Sequence, residues 1–347
     1  MDTLQYNMRY GFLDSLVRAG FTEFLTEADY AQLKQCGSLE DFRLHLGNAG
    51  FQEYLANDNA PPTPNVIYER CLARMVKKFS EIEVQAVDDL KTFFQWLRIP
   101  YMIDNVVIII SGVVHGHDVS DLIERCHPLG IFDGIKALAV ASTTQELYQL
   151  VLVDTPLGPL FSKCLSSSAL NDQNVESIRL KLYREYFDQF YAFCDSLGGE
   201  TAEVMKEVLF FEADRRAIMI TLNSIKTNLI VDDREILYPR IGYLSGITGK
   251  LASKNTAETA LSDSLAPFET YKKLWDQSRT SSKSIEDVFF DKAAQMHVLN
   301  YAVFFQFGVF YSWVQLMDQE IRNIQWIAEM VQQGKPDRAD NYIRIRK

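Results

Sequence analysis

The sequence predicts an all-α protein made of three pseudo-repeated helical-hairpin units. Three observations carry that expectation. First, a charged cluster runs into an apolar helical stretch three times, at Met102-Ile103-Asp104-Asn105-Val106-Val107, at Phe211-Glu212-Ala213-Asp214-Arg215-Arg216-Ala217-Ile218, and at Glu320-Ile321-Arg322-Asn323-Ile324-Gln325. Asp104 and Asp214 lie 110 residues apart, Asp214 and Arg322 lie 108 apart, and a near-constant offset marks a repeated supersecondary unit. Second, a Pro- and Gly-bearing stop follows two of these junctions at a similar distance, Cys126-His127-Pro128-Leu129-Gly130 and Tyr238-Pro239-Arg240-Ile241-Gly242. Each closes an acidic helix-like segment. Third, long amphipathic runs precede the junctions over 66–96, 175–211 and 285–316. The expected units are 1–120, 121–230 and 231–347; chance echoes between unrelated helices are the alternative.

Taken in order, the chain opens with Phe12, Leu13, Leu16 and Val17 at helical spacing. Thr26-Glu27-Ala28-Asp29 reads as a cap with first-turn acids, and Ser38-Leu39-Glu40-Asp41 opens the next helix. Pro61, Pro62 and Pro64 mark an exposed connection. Residues 66–99 form one or two long helices, which Pro100 is expected to kink or stop. Val106-Val107-Ile108-Ile109-Ile110 resembles a buried strand in isolation, but its two counterparts read as helices, so it is assigned to a core helix.

Further on, Ser142 to Glu146 and Asn171-Asp172 read as caps, and Gly198-Gly199 closes an aromatic-rich helix. Ser245 to Thr256 is looser. Ser284-Ile285-Glu286-Asp287 caps the last long helical region, and Gly334-Lys335-Pro336 stops it, leaving a tail. The row Tyr301, Phe304, Phe305, Phe307, Phe310, Tyr311 and Trp313 exceeds one helical face, which suits an enclosed helix or a partner site.

A formal net charge of −11 disfavours non-specific binding to nucleic acid or anionic lipid; the C-terminal Arg344, Arg346 and Lys347 are one candidate for a local basic patch. Five dispersed cysteines fit neither a zinc knuckle nor a disulfide framework and are expected to be reduced thiols. No signal-peptide core is evident. Val106 to Ile110 is too short to span a bilayer and 301–317 is interrupted by polar residues, so any membrane contact is expected through partners.

Motifs for chemistry fail on inspection. Gly249-Lys250 lacks the upstream glycine and following Ser/Thr of a phosphate loop. His115-Gly116-His117 has no further ligands at metal spacing. His127, ahead of Pro128, reads as a helix-end cap rather than as the partner of a Cys126 thiolate. No catalytic residue, cofactor or metal is expected. Glu212, Asp214, Arg215 and Arg216, with Asp104, Asn105, Arg322 and Asn323 at the other two junctions, are the candidate structural hub. The alternative is a solvated helix face of weak local pairs.

Several blocks, in order along the whole chain, resemble one known family. They include Tyr101-Met102-Ile103-Asp104-Asn105-Val106, Val153-Asp154-Thr155-Pro156-Leu157, Phe211-Glu212-Ala213-Asp214-Arg215-Arg216, Phe307-Gly308-Val309-Phe310-Tyr311, Gln319-Glu320-Ile321-Arg322-Asn323-Ile324 and Asp340-Asn341-Tyr342-Ile343. The chain resembles the subunit d family of the eukaryotic vacuolar-type proton ATPase more than its prokaryotic V/A-type relatives. That resemblance implies a funnel of three helical units on the cytoplasmic face of vacuolar or endosomal-type membranes. The funnel would sit on the proteolipid c ring, receive central stalk subunits D and F, contact other subunits of the pump, and carry torque without catalysing a reaction. The segment after Ser245 matches the family less closely. A helical-repeat scaffold for soluble partners is the alternative function.

Overall fold

The computed structural model describes residues 3–55, 62–117, 119–140, 146, 149, 155–164, 175–225, 234–253, 258–281 and 283–346, and no β-strand occurs among them. The α-helices in chain order are α1 (Thr3–Ala19), α2 (Glu27–Gln35), α3 (Leu39–Leu46), α4 (Gln52–Leu55), α5 (Pro64–Glu83), α6 (Asp88–Val114), α7 (Val119–Glu124) and α8 (Gly158–Cys164). They continue with α9 (Val175–Leu197), α10 (Gly199–Ser224), α11 (Thr248–Ser253), α12 (Glu258–Leu265), α13 (Glu269–Thr280), α14 (Ile285–Asn300) and α15 (Gly308–Gln332). The all-α class is as the sequence predicts. Two compact units emerge from the packing: one comprises Met1–Lys91, Gly199–Val204 and Lys273–Lys347, the other Thr92–Gly198 and Met205–Lys272.

The first unit is built on α15, a helix buried on nearly every side. Its apolar residues, from Val309 and Phe310 to Ile327 and Met330, face helices α1, α2, α3, α5 and α14. Local sequence fixes where the surrounding helices begin. Thr26 and Ser284 each complete a reciprocal capping box, with Asp29 and Asp287, so two otherwise orphaned amides are satisfied at each start. Ser38 and Thr63 accept from Asp41 N and Val66 N in the same way. Beyond α15, Tyr342, Ile343 and Ile345 are buried, Arg344 pairs with Glu27 at 2.7 Å and Arg346 donates to the Thr22 carbonyl. The expected free basic tail is therefore, up to Arg346, a strap held on the first unit.

In the second unit α6 meets α9 through aromatic rings. Trp96 stacks on Phe190 with centroids 5.6 Å apart and also lies beside Phe193, and Phe93 meets Phe190 in a tilted contact at 5.4 Å. Gly198, at φ 65, turns the chain between α9 and α10, and Tyr191 meets Phe210 across that turn. Gly130 has no room for a side chain: a Cβ there would sit 2.3 Å from the Tyr101 carbonyl oxygen. That close approach lays the 127–130 turn against α6.

Three expectations need correction. Residues 66–99 are two helices, one of the two forms expected, but of the two outcomes expected at Pro100 the stop does not occur: α6 runs through it. Because the helix continues, Asp88–Val113 is long and apolar enough, by length and composition alone, to cross a membrane, which the short run Val106–Ile110 by itself does not reveal; half of its most apolar window is buried within the protein. The aromatic row is also not one surface. Residues 301–307 form a turn between α14 and α15, with Phe305 at φ 60, so Phe304 and Phe305 are exposed while Phe307, Phe310, Tyr311 and Trp313 are core. The expected caps at Ser142 and Asn171, residues 151–154 and 226–233, and Lys347 lie outside the described residues.

Replacing Ser284 by Ala removes one capping bond of α14 and should lower stability by about 1 kcal/mol. Urea unfolding of the variant should show that loss with an unchanged slope.

Candidate functional site

Three buried polar residues on the long helices do the same task. Asn105 on α6, Asp214 on α10 and Asn323 on α15 are each 2% exposed or less. A buried amide or carboxylate must find partners within the protein. All three take them from backbone further along the chain.

Asn105 grips one residue at both ends: its Oδ1 accepts from His127 N at 2.7 Å and its Nδ2 donates to His127 O at 2.9 Å. Asn323 repeats the geometry on Ile343, accepting from its N at 3.0 Å and donating to its O at 2.6 Å. A side-chain amide, with one acceptor and one donor side, suits a single residue's N–H and C=O. Asp214 offers acceptors only, and it captures two successive amides, Tyr243 N at 2.9 Å and Leu244 N at 3.0 Å. The Tyr271 hydroxyl adds a third donor at 2.6 Å. Gly242 makes this possible: it holds φ +112, and a Cβ there would lie 2.2 Å from the Asp214 Oδ1. From Asn105 to Asp214 and from Asp214 to Asn323 the spacing is 109 residues each time (214 − 105 and 323 − 214).

The other expected residues are placed as follows. Asp104, one position from Asn105, accepts from Arg179 Nε at 3.0 Å and from the Tyr183 hydroxyl at 3.0 Å. Arg216 lies over the same Tyr183 ring, 3.8 Å from its centroid, so Tyr183 joins Asp104 to Arg216. Glu212 and Arg215 pair with each other at 2.7 Å. Arg322 is exposed and covers the Phe290 ring. Arg322 and Asn323 belong to the first unit and the other six to the second. His127, whose side chain accepts from Leu129 N and stacks on Tyr101, caps the start of the 128–130 turn rather than a helix end. Burial pushes its imidazole down to about 4, so it is neutral near pH 7.

One feature escaped the sequence. Arg74 and Glu320 form an ion pair at 3.1 Å with both side chains buried, which joins α5 to α15. Glu320 also accepts from Leu25 N at 2.8 Å, and Arg74 reaches Glu23 and covers the Phe51 ring. Burial pushes the Glu320 carboxyl up, and Arg74 and the Leu25 amide pull it back. The available signal was a charge set among apolar positions on each helix, with Cys71 and Met75 beside Arg74 and Met317, Ile321 and Ile324 beside Glu320. Among the described residues no three His, Cys, Asp or Glu side chains are grouped as metal ligands.

These contacts join structural elements within each unit. The family described as ATP synthase (C/AC39) subunit matches residues 13–342. A protein of Oryza sativa subsp. japonica named "Probable V-type proton ATPase subunit d" is 39% identical over 343 residues, covering 99% of this chain and 98% of its own. "V-type proton ATPase subunit d1" of Arabidopsis thaliana is 40% identical over 338 residues, covering 97% and 96%. More distantly, an A-type ATP synthase protein of Desulfurococcus sp. is 21% identical over 65% of this chain and 59% of its own.

Two substitutions test the buried groups. Arg74→Met strands the Glu320 charge and should lower stability by about 3–5 kcal/mol, with Glu320→Gln in the same chain recovering more than half in urea unfolding. At Asp214 burial, against the pull of Tyr271 and the two amides, pushes the carboxyl from 3.8 up to about 6. The folded state therefore holds a proton that the unfolded chain releases, and ionised Asp214 lowers stability above about pH 6. Compared with Asp214→Asn, which does not titrate, wild type should gain about 2 kcal/mol between pH 7 and pH 4.5. A loss over that interval would contradict the assignment.

Proposed function

The chain belongs to the ATP synthase (C/AC39) subunit family that includes the V-type proton ATPase subunit d proteins, and from that membership we propose that it is a non-catalytic rotor subunit of a vacuolar-type proton-pumping ATPase. It couples the central stalk, subunits D and F, to the membrane proteolipid ring, and it works at the cytoplasmic face of the membrane, held there by its partners. The observation that carries the reading is identity of 39–40% along almost the entire length of both proteins. Similarity confined to one segment would support a shared fold only; similarity end to end supports a shared place in an assembly.

The proposal extends to three pseudo-equivalent units, 1–120, 121–230 and 231–347, arranged as a funnel. Supporting it, the buried anchors Asn105, Asp214 and Asn323 fall one in each unit at an equal spacing of 109 residues, and each secures backbone downstream of its helix. A torque coupler must resist twisting. Densely packed interiors deform little, and anchors bonded to backbone at two points limit sliding of the captured segment along its helix. In this reading the charged residues at the junctions, Asp104, Glu212, Arg215, Arg216 and Arg322, form the rest of a structural hub.

Affinity-tagged protein recovered from detergent-solubilised membranes should bring the proteolipid and the stalk subunits with it in mass spectrometry. Recovery of soluble proteins alone, at matched expression, would contradict the proposal.

A further inference from the structure

Helix α1 is apolar on two opposite sides. Tyr6, Tyr10, Leu13 and Val17 are buried in the first unit. On the other side Leu4, Met8, Phe12 and Leu16, spaced four apart, are 65, 79, 67 and 42% exposed. At 3.6 residues per turn these four share a face with Gly11, Ser15 and Ala19, and that face carries no charge. Its borders are Arg9 and Arg18, both already paired within the chain, with Asp88 at 3.1 Å and Asp14 at 2.7 Å. The Arg9 pair draws the turn between α5 and α6 alongside, where Val84 and Val87 are also exposed and Asp88 is held at φ 50. The inner apolar side is accounted for by the core of the first unit, and a contiguous exposed apolar patch such as the outer one marks an interaction surface.

We infer that this face of α1 docks an apolar stripe of an α-helix belonging to another subunit of the same assembly. The inference rests on the functional reading above and adds a contact surface to it. Three features select the occupant. Leu4, Met8, Phe12 and Leu16 form a ridge beside a shallow row at Gly11, Ser15 and Ala19, the relief into which another helix packs its own ridge. That row is open: the nearest atoms to a Cβ built on Gly11 all belong to Asn7 of the same helix.

Size is the second feature. A helix face of this length falls in the range of a few hundred Å², short of the roughly 800 Å² per partner of a free-standing complex. A second copy of the chain would not be held by it, whereas a subunit tethered in the same assembly gains from a high effective concentration. Charge is the third. A helix lying on anionic lipid carries Lys and Arg on its polar side, whereas the two arginines bordering this face are neutralised by the chain's own acids and the net charge is −11.

The test uses the intact assembly purified with the tagged chain. A photoreactive p-benzoylphenylalanine in place of Phe12 should cross-link to a peptide from a helix of another subunit. The double variant Met8→Glu, Phe12→Glu should leave the assembly at least tenfold faster than wild type while keeping the urea midpoint of the isolated chain. Cross-linking only to a second copy, only to lipid or to nothing, with wild type still co-purifying, would overturn the inference and leave the functional reading standing. So would an unchanged rate of dissociation. Failure of wild type itself to co-purify with proton-ATPase subunits would overturn both.

Discussion

A polar side chain sealed inside a helical core has to find hydrogen-bond partners within the protein, and that constraint orders both units of this chain. Leaving one such group unsatisfied costs about 1–3 kcal/mol. Asn105, Asp214 and Asn323 meet the requirement by binding backbone 20 to 30 residues further on, at His127, at Tyr243 and Leu244, and at Ile343. The captured segments are turns or irregular chain, which have no regular backbone partners of their own. One interaction therefore satisfies a buried side chain and a piece of loop backbone together, and it fixes where the loop returns to its helix.

The Arg74–Glu320 pair extends the same logic to charge. Two ions removed from water are not a source of net stability by themselves. They are tolerated here because each has further partners, the Leu25 amide for Glu320 and Glu23 with the Phe51 ring for Arg74. What the pair supplies is register. It ties the helix at the centre of the first unit to α5 and to the 23–25 segment at one defined height. Under the proposed coupling role such specificity matters more than added stability, because slippage between helices would dissipate a transmitted motion.

Much of the fold was legible in the sequence because the signals are local. The capping boxes at Thr26 and Ser284 depend on residues three apart, and the helix turns at Gly198 and Gly334 depend on one or two. The near-equal spacing of the three junctions was legible too, but by charge, which drew attention to Asp104 and Arg322 beside Asp214. The side chains that do equivalent tasks are one position later, Asn105 and Asn323. Burial distinguishes them: Asp104 is partly exposed and Arg322 is exposed, while the two amides are sealed. Arg74 and Glu320 were not legible as a pair, since 246 residues separate them and no local pattern links them. A stop at Pro100, one of the two outcomes expected there, does not occur for a related reason. Its ring removes one helical hydrogen bond, a local penalty, but the aromatic contacts of Phe93 and Trp96 with α9 lie in the helix that continues through it.

Hydrogen exchange at single-residue resolution tests the anchoring account most directly. The amides of His127, Leu244 and Ile343, though outside regular α-helix, should exchange slowly in the native protein, and Asn323→Ala should release Ile343 while leaving His127 and Leu244 protected. Fast exchange at all three sites in wild type, or an Ile343 amide indifferent to the loss of Asn323, would contradict the claim that these side chains hold the fold's returning segments in place.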